Sequence, residues 1–467
     1  MILRKQTLPL AAFCSIALAS LAATSSFCQT ADSLTLRRVI GMAIKSSASL
    51  NAMGKGLTAA KARTSQAKSA YYPMVSGTAS YANLGPVEKL DFPLAVGITT
   101  DPASVNDKLV METLPFQLYP SNNWDFHVGA DYVLYDFGKR KKSMDLSAIG
   151  EQGAETGTDF SAKNIAYQSI VMFESLINSE QMIQAKNEDI SNLKQHLDFV
   201  KKRLSTGSAT QFDVLRSEVQ LSNSQTEATN LDNFLVKQQI DFRQFLGLGE
   251  TAPVFLKGTF DSSYQDVSSD SLVAEAQKKR TEIEFMDIAI KALQAQLGLT
   301  KLDLMPLLTA HVAAGGKNGY VPDLDKILFN WVAGAQLQVP IIDGRRSHYH
   351  AVELEARIDS MRIVLKDFLD HIRSDVLKGI ADVKSAHQNL VAAKVNVGLA
   401  SESRRIANLQ YEAGAIPNLD LLDAEEKFIQ AKFAQLSSEY RYTLSRFALQ
   451  QATGFDFASL AETGTGK

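Results

Sequence analysis

Few residues of this chain have the types and spacing that catalysis or metal binding requires. His348 and His350 stand two positions apart, which places them on different sides of a helix, and a third metal ligand is not apparent nearby. The sequence also lacks a Walker phosphate loop, a serine nucleophile elbow and the ligand spacing of a metal cluster. We therefore predict no enzymatic activity, no cofactor and no bound metal.

Two aspartates stand at equivalent places in the two halves of the sequence. Asp213 follows Gly207 by six residues, and Asp420 follows Gly414 by the same distance. Glycine suits the left-handed residue that ends a helix, so each glycine is predicted to close an ascending helix. Each aspartate then lies near the start of the returning helix, where negative charge meets the positive end of the helix dipole.

The N-terminus has the order of a secretory signal peptide. Arg4 and Lys5 precede an apolar stretch over residues 8–23, and Ser26 and Cys28 place small residues before a predicted cut. Residues 1–28 are therefore predicted to be removed. Because both cysteines of the chain lie in this segment, the mature protein would contain no thiol.

Composition narrows the class of protein further. The sequence after residue 28 has no apolar stretch long enough to cross a bilayer as a helix. The formal net charge is −3, so nucleic acid is not an expected partner. Export, the absence of thiols and long polar-apolar helical patterns together indicate a periplasmic or envelope protein.

The sequence contains an internal repeat. Besides the glycines and aspartates above, Gly138 aligns with Gly344 and Pro73 with Pro306. We predict a first repeat over residues 29–248, a second over residues 249–455, and a disordered tail over residues 456–467. The first repeat holds about 27 extra residues, which match the segment 84–123 that we interpret as a long loop.

Each repeat is predicted to contain two strands and a long helical hairpin. Apolar residues recur every seven positions, which is typical of coiled coils. These are Leu176, Ile183, Ile190, Leu197 and Leu204 in the first repeat, and Val376, Val383, Leu390 and Val397 in the second. Residues 126–134, 308–314 and 333–339 alternate between apolar and polar side chains, as membrane barrel strands do, and residues 74–84 alternate less regularly.

The pattern predicts a mainly α protein with short β segments. Four strands cannot close a barrel, and an open sheet edge is not viable in lipid. A trimer would supply twelve strands. The predicted fold is thus a trimeric 12-stranded outer-membrane β-barrel with four strands per subunit, continued by a long periplasmic α-helical coiled-coil barrel.

These motifs, taken in order, resemble the TolC-like outer-membrane efflux protein family over nearly all of the mature sequence. The matching residues are the segment 34–44, the prolines Pro73 and Pro306 before strands, the glycines Gly138 and Gly344 after strands, Gly207 with Asp213, and Tyr411 with Gly414, Asp420 and Asp423. The resemblance implies an outer-membrane channel subunit that extends into the periplasm of a Gram-negative bacterium.

The resemblance also implies a mechanism and partners. The protein would be a passive duct of a tripartite efflux or type I secretion system. It would form a homotrimer in outer-membrane lipid and work with a periplasmic adaptor and an inner-membrane transporter of the RND, ABC or MFS type. In this family the helix tips close the tunnel. Asp420 and Asp423 would line that aperture, and Tyr411 with Asp213 would form one latch. A second family latch uses arginine where this chain has Ile416.

Simpler interpretations remain open for these residues. Asp213 and Asp420 could serve only as helix-start residues, Asp423 as a solvated charge, and Tyr411 as a side chain that reaches the tip surface. The basic cluster at residues 139–142 could bind lipid phosphates or remain solvated. The rival function is a non-channel coiled-coil spacer or adhesin, which predicts neither alternating strands nor equivalent halves. The sequence does not indicate the cargo.

Overall fold

The computed structural model describes residues 33–99, 108–258, 260 and 269–461. The predicted signal peptide lies outside the described residues. The α-helices are α1 (Leu36–Ser46), α2 (Ala48–Ser69), α3 (Lys139–Ser205), α4 (Gln211–Leu246), α5 (Ser269–Lys279), α6 (Thr281–Thr300), α7 (Arg346–Glu412) and α8 (Asn418–Ala452). The strands are β1 (Met74–Asn83), β2 (Lys89–Thr99), β3 (Lys108–Gln117), β4 (Asn122–Tyr135), β5 (Leu307–Lys317) and β6 (Leu328–Gln338). Within these ranges the structure contains no helix that is both long and apolar enough for a membrane crossing.

Four strands form one antiparallel sheet in the order β1-β4-β5-β6. In this sheet β4 of the first repeat pairs with β5 of the second, with Asp131 opposite His311. The two halves of the chain are thus joined through the sheet. Strands β1 and β6 lie at its two edges. The short connection between β5 and β6 is held by Asn318, whose Oδ1 accepts a 2.7 Å hydrogen bond from the backbone N–H of Trp124.

The two faces of this sheet differ in polarity. One face carries the apolar residues of the alternating pattern, which on β4 include Trp124, Phe126 and Val128. The opposite face carries paired polar groups. The Nδ1 of His311 lies 2.8 Å from Oδ1 of Asp131, and the Nε2 of His127 lies 2.8 Å from Oδ1 of Asn330.

The long helices α3 and α7 contain 67 residues each, which corresponds to about 100 Å of helix. Many predicted coiled-coil positions are buried against neighbouring helices, as the seven-residue spacing requires. The buried ones are Leu176 and Leu197 in α3, and Val376, Val383 and Leu390 in α7. Ile183, Ile190, Leu204 and Val397 are only half-buried in the single chain.

The junctions between sheet and helices lie where the motifs predicted them. Pro73 and Pro306 directly precede β1 and β5, because proline cannot continue the helices before them. Gly138 and Gly344 adopt positive φ angles of 89° and 68° at the opposite junctions. The carboxylate of Asp136 accepts a 2.7 Å hydrogen bond from the backbone N–H of Arg140 and so caps the first turn of α3.

The structure corrects the prediction of a long loop over residues 84–123. This segment contains β2 and β3, which pair as a separate two-stranded antiparallel sheet. Pro93 and Pro115 interrupt the strand pattern in the sequence, yet proline is tolerated on edge strands, and both strands of a two-stranded sheet are edges. We refer to the described residues of this segment, 84–99 and 108–121, as the β2–β3 arm.

The predicted disordered tail is also wrong in its first part. Residues Phe457–Leu460 form a short 3-10 helix that begins at Asp456, and Phe457 is only 1% exposed. Its ring packs with Ile40, Ala166 and Ile170, because an apolar side chain of this size gains stability when helices bury it. Residues 462–467 lie outside the described part of the chain.

Candidate functional site

Two tight turns lie at one end of the molecule, one between α3 and α4 and the other between α7 and α8. Gly207 and Gly414 adopt positive φ angles of 74° and 75°, which glycine accepts without steric strain. The N–H of Ser208 donates to the carbonyl of Arg203 at 2.8 Å, and the N–H of Ala415 donates to that of Gln410 at 2.8 Å. These bonds satisfy carbonyls at the helix ends, so both glycines serve as the helix terminators that the sequence predicted.

Asp213 forms a capping box at the start of α4. Its Oδ2 accepts hydrogen bonds from the backbone N–H of Thr210 at 2.9 Å and from the Thr210 hydroxyl at 2.7 Å. The N–H of Asp213 in turn donates to Oγ1 of Thr210 at 3.2 Å. Within one chain, the Asp213 carboxylate is therefore used to begin the helix.

Tyr411 lies between the two helical hairpins and is 6% exposed. Its ring contacts those of His196 and Phe199 on α3, with centroids 5.4 and 6.1 Å away. The guanidinium of Arg203 lies 5.0 Å from the ring centroid, and its Nη1 donates a 2.6 Å hydrogen bond to the carbonyl of Tyr411. The pKa of the Tyr411 phenol lies above its ordinary value, chiefly because the side chain is buried. The positive charge of Arg203 opposes this rise, and the negative charge of Asp213 adds to it.

The predicted hydrogen bond between Tyr411 and Asp213 is not formed among the described residues of this single chain. The Asp213 carboxylate binds Thr210 instead, as the simpler interpretation of that residue expects. Tyr411 contacts α3 through its aromatic ring and its backbone carbonyl. The Tyr411–Asp213 latch between the two hairpins stays a prediction.

Asn418, the first residue of α8, connects three helices. It is 3% exposed, and its Oδ1 accepts a 2.7 Å hydrogen bond from Nε2 of His196 on α3. Its Nδ2 donates to the carbonyl of Asp213 at 3.1 Å and to Oγ of Ser217 at 3.2 Å, both on α4. The amide therefore uses its acceptor and both donors to hold the second hairpin against the first.

An apolar cluster surrounds this polar bridge. It consists of Leu197, Val200, Val214, Ala407, Tyr411 and Leu421. Ile416 packs against the cluster, so the position at which the family carries a latch arginine is here an apolar contact between hairpins. Phe212 leaves 67% of its side chain exposed and lines a groove with Leu419.

Asp420 and Asp423 are exposed on the first two turns of α8. The Asp420 N–H donates a 3.1 Å hydrogen bond to the carbonyl of Pro417, which places this residue in the first turn. Asp423 lies one turn further and lines the same groove as Phe212. The carboxylates of both residues are therefore available to solvent or to a neighbouring chain.

His196 adds a titratable group to this bridge. Burial lowers its pKa, while the hydrogen bond with Asn418 raises it to a lesser extent. A depressed histidine pKa means that the folded tip prefers the neutral ring. Its stabilising contribution is present above about pH 6.5 and is lost as the pH falls through the lower folded value.

We expect acidification to loosen the tip through His196. Protection factors for hydrogen exchange, which remove the intrinsic pH dependence of the exchange rate, should be lower at pH 5.5 than at pH 7.5 for the backbone amides of residues 196–200 and 418–422. His196→Gln should remove much of this difference, because glutamine can donate to Asn418 without titrating. His371→Gln, which changes an exposed histidine on α7, is the control. An equal pH response in the wild type and His196→Gln would contradict this assignment.

The profile of the outer membrane efflux protein family matches residues 39–248 and 272–455. The chain belongs to this family. Its members are outer-membrane channels, so this outer-membrane efflux protein is a channel component of an efflux system rather than a spacer or adhesin.

Individual relatives agree with this assignment. Nodulation protein T of Rhizobium leguminosarum bv. trifolii is 23% identical over 365 residues, which cover 74% of this chain and 75% of that protein. The pyoverdine export outer membrane protein OpmQ of Pseudomonas putida is 22% identical over 353 residues, or 72% of this chain and 71% of that protein. The crystal structure of the Campylobacter jejuni CmeC outer membrane channel matches with a TM-score of 0.72 at 14% identity and covers 92% of this chain and 90% of that chain.

Proposed function

We propose that three copies of this efflux protein form a closed, passive duct whose periplasmic aperture is gated at the tip described above. The observation that carries the proposal is the open four-stranded sheet, whose edge strands β1 and β6 lack partners within the described chain. An unpaired edge is not viable in lipid, since each free N–H and C=O group would be left without a hydrogen bond. Three sheets joined edge to edge give twelve strands and no free edge.

The polarity of the sheet supports this arrangement. The apolar face is suited to lipid, and its large residues include Phe329 at 76% exposure and Trp331 at 71% in the single chain. Aromatic residues are typical of the interface between lipid and water in membrane barrels. The polar face, with the His311–Asp131 pair, would line a water-filled lumen. Such a duct moves cargo by diffusion and requires no catalytic residue.

The helices leave apolar side chains for neighbouring chains to cover. Leu215 and Val219 on α4 are 52% and 58% exposed, and Val395 and Leu399 on α7 are 58% and 66% exposed. Exposed apolar groups at regular spacing along helices are typical of coiled-coil contacts between subunits. In a trimer these surfaces would close the wall of the helical tunnel.

Asp420 and Asp423 would supply the charge at the aperture. Three copies would place two rings of three carboxylates at the tip, which attract cations and repel anions. The bridge of Asn418 and the Arg203–Tyr411 contact hold the two hairpins of each chain together, which favours the closed state.

The partners follow from the same arrangement. A passive duct needs an energy source in the inner membrane, and we assign this role to a transporter of the RND, ABC or MFS type joined through a periplasmic adaptor. Outer-membrane lipid surrounds the barrel. Within the basic cluster after β4, Arg140 already binds the Asp136 carboxylate at 3.0 Å, while Lys141 and Lys142 are exposed and available to lipid phosphates.

Single-channel conductance in a planar bilayer tests this function. We expect the wild type to give a small, cation-selective conductance, because the tip is narrow and lined by carboxylates. The double variant Asp420→Asn with Asp423→Asn should lose most of this selectivity, while Asp198→Asn, an exposed aspartate on α3, should retain it. A soluble monomer without conductance would refute the duct, whereas unchanged selectivity in the double variant would refute the aspartate rings alone.

A further inference from the structure

The β2–β3 arm is a surface that the channel itself does not require. The second repeat joins β5 to β6 with residues 318–327, so a short connection is sufficient at this end of the sheet. The arm instead extends two strands of 11 and 10 residues from the ends of β1 and β4. It forms a sheet separate from the barrel strands. An isolated two-stranded hairpin is only marginally stable in water, so a partner surface is expected.

One face of the arm is apolar and unpartnered in the single chain. Side chains alternate between the faces of a strand, so Leu90, Phe92 and Leu94 share a face of β2. Register places Phe116 of β3 opposite Leu90, and the rings of Phe92 and Phe116 pack edge to face at 6.1 Å. These four side chains are 47%, 51%, 51% and 37% exposed, respectively, which leaves a contiguous apolar patch.

The edges of the arm are poor sites for adding another strand. Pro93 lies in β2 and Pro115 in β3, and each lacks the N–H group that a further strand would need. Asp91 lies opposite Pro115 and adds a charge on the face that does not carry the apolar patch. The edges therefore leave the faces of the arm for a partner, and the patch around Phe92 is the apolar surface nearest the barrel. Ile98, Leu109 and Met111 are also exposed, toward the far end of the opposite face.

The position of the arm indicates which partner this is. The arm leaves the sheet at Asn83 and Asn122, the end opposite the long helices, which is the extracellular mouth in the proposed duct. Its first link comes from β1, an edge strand at which a neighbouring copy must join to close the barrel. The arms of neighbouring copies are thus continuous with the interface that forms the trimer.

We propose that the apolar faces of the three β2–β3 arms pack on one another above the extracellular mouth and form a cap of the duct. This inference rests on the proposed trimer. Further copies of the same chain can cover the apolar face of every arm, because a threefold arrangement brings the same face of each arm toward the axis. The cap would narrow the exit of the barrel independently of the aperture at the helix tips.

Insertion of the arm into the lipid is the less favourable alternative. Glu112 of β3 lies opposite Leu94 and therefore on the apolar face. A carboxylate among lipid tails carries a large desolvation penalty, whereas at the rim of a contact between arms it can remain hydrated. The face is thus suited to a protein partner flanked by water.

Cysteine cross-linking in isolated outer membranes tests the cap. The only natural cysteines, Cys14 and Cys28, precede the predicted cut, so a single introduced thiol would be unique. After mild oxidation, Phe92→Cys should give disulfide-linked dimers on a denaturing gel, since a threefold cluster pairs two thiols and leaves the third free. Leu90→Cys is a second position on the same face, and Thr113→Cys, on the opposite face, should remain monomeric.

The outcomes separate the cap from the duct. Channel conductance and a heat-sensitive trimer band report the duct in the same variants without reference to the arm. If these persist while neither Phe92→Cys nor Leu90→Cys cross-links above the level of Thr113→Cys, the cap is refuted and the trimer stands. Quenching of a bimane label at position 92 by spin-labelled lipids would also refute the cap and would assign the face to the membrane.

Discussion

Replacing Asn418 with alanine is expected to shift the tip of the duct from its closed toward its open state. The substitution removes three hydrogen bonds and leaves the buried Ser217 hydroxyl and the His196 ring with one partner fewer. Loss of a partner by a buried polar group costs about 1–3 kcal/mol. A cost of about 2 kcal/mol changes an equilibrium constant by roughly thirtyfold in each chain. We therefore expect a large rise in the open probability or mean conductance in planar bilayers.

A second substitution at the same position distinguishes the bridge from a simple helix-start effect. Asn418→Asp keeps the size of the side chain and suits the first turn of a helix, where negative charge is stabilising. Its carboxylate cannot donate to the carbonyl of Asp213, so the bridge would still be broken. Asn396→Ala, at an exposed site on α7, controls for loss of an amide elsewhere. Closed-state conductance in Asn418→Asp equal to the wild type would contradict the role of the bridge.

The largest pH effect on stability is expected from Glu174 on α3. Its side chain is 6% exposed and its Oε2 has no hydrogen-bond partner among the described residues. Burial raises the pKa of Glu174 to about 7 from a usual value near 4.5. The folded state therefore binds a proton that the unfolded chain releases between these values. Stability from this group is full below about pH 4.5 and is lost as the pH rises to about 7.

Glu174→Gln should remove this dependence. Glutamine keeps the shape and stays neutral, so we expect the variant to be more stable than the wild type by on the order of 3 kcal/mol at pH 8, with a much smaller gain at pH 5. Circular dichroism melting of the detergent-solubilised channel at both pH values measures the difference. Glu188→Gln, an exposed carboxylate on the same helix, should leave the melting temperature unchanged. A melting temperature of Glu174→Gln that follows the wild type at both pH values would contradict the assignment.

Much of the fold was predictable because its signals are local or periodic. The prolines before β1 and β5 and the glycines after β4 and α7 act through their own backbone geometry, so their roles can be read without knowledge of neighbours. The seven-residue spacing predicted α3 and α7 for the same reason. Because the same motifs occur in both repeats, each of these local patterns appears twice in the sequence.

The polar bridge at the tip could not be predicted in this way. Asn418 binds His196 and Ser217, which lie 222 and 201 residues away in the sequence. Contacts between residues so far apart in the sequence produce no local sequence pattern. Asn418 follows a proline at a helix start, where it resembles an ordinary turn residue. The β2–β3 arm was missed for a related reason, because its prolines indicate a loop unless both strands are known to be edges.

The equal lengths of α3 and α7 make this channel a molecular ruler. Both helices have 67 residues, and this equality brings Arg203 of one repeat level with Tyr411 of the other. A heptad inserted into one helix alone would displace its end by about 10 Å and separate these partners. Growth of the duct to span a wider periplasm would therefore require matched insertions in both repeats, in steps of seven residues along each ascending helix and its returning partner.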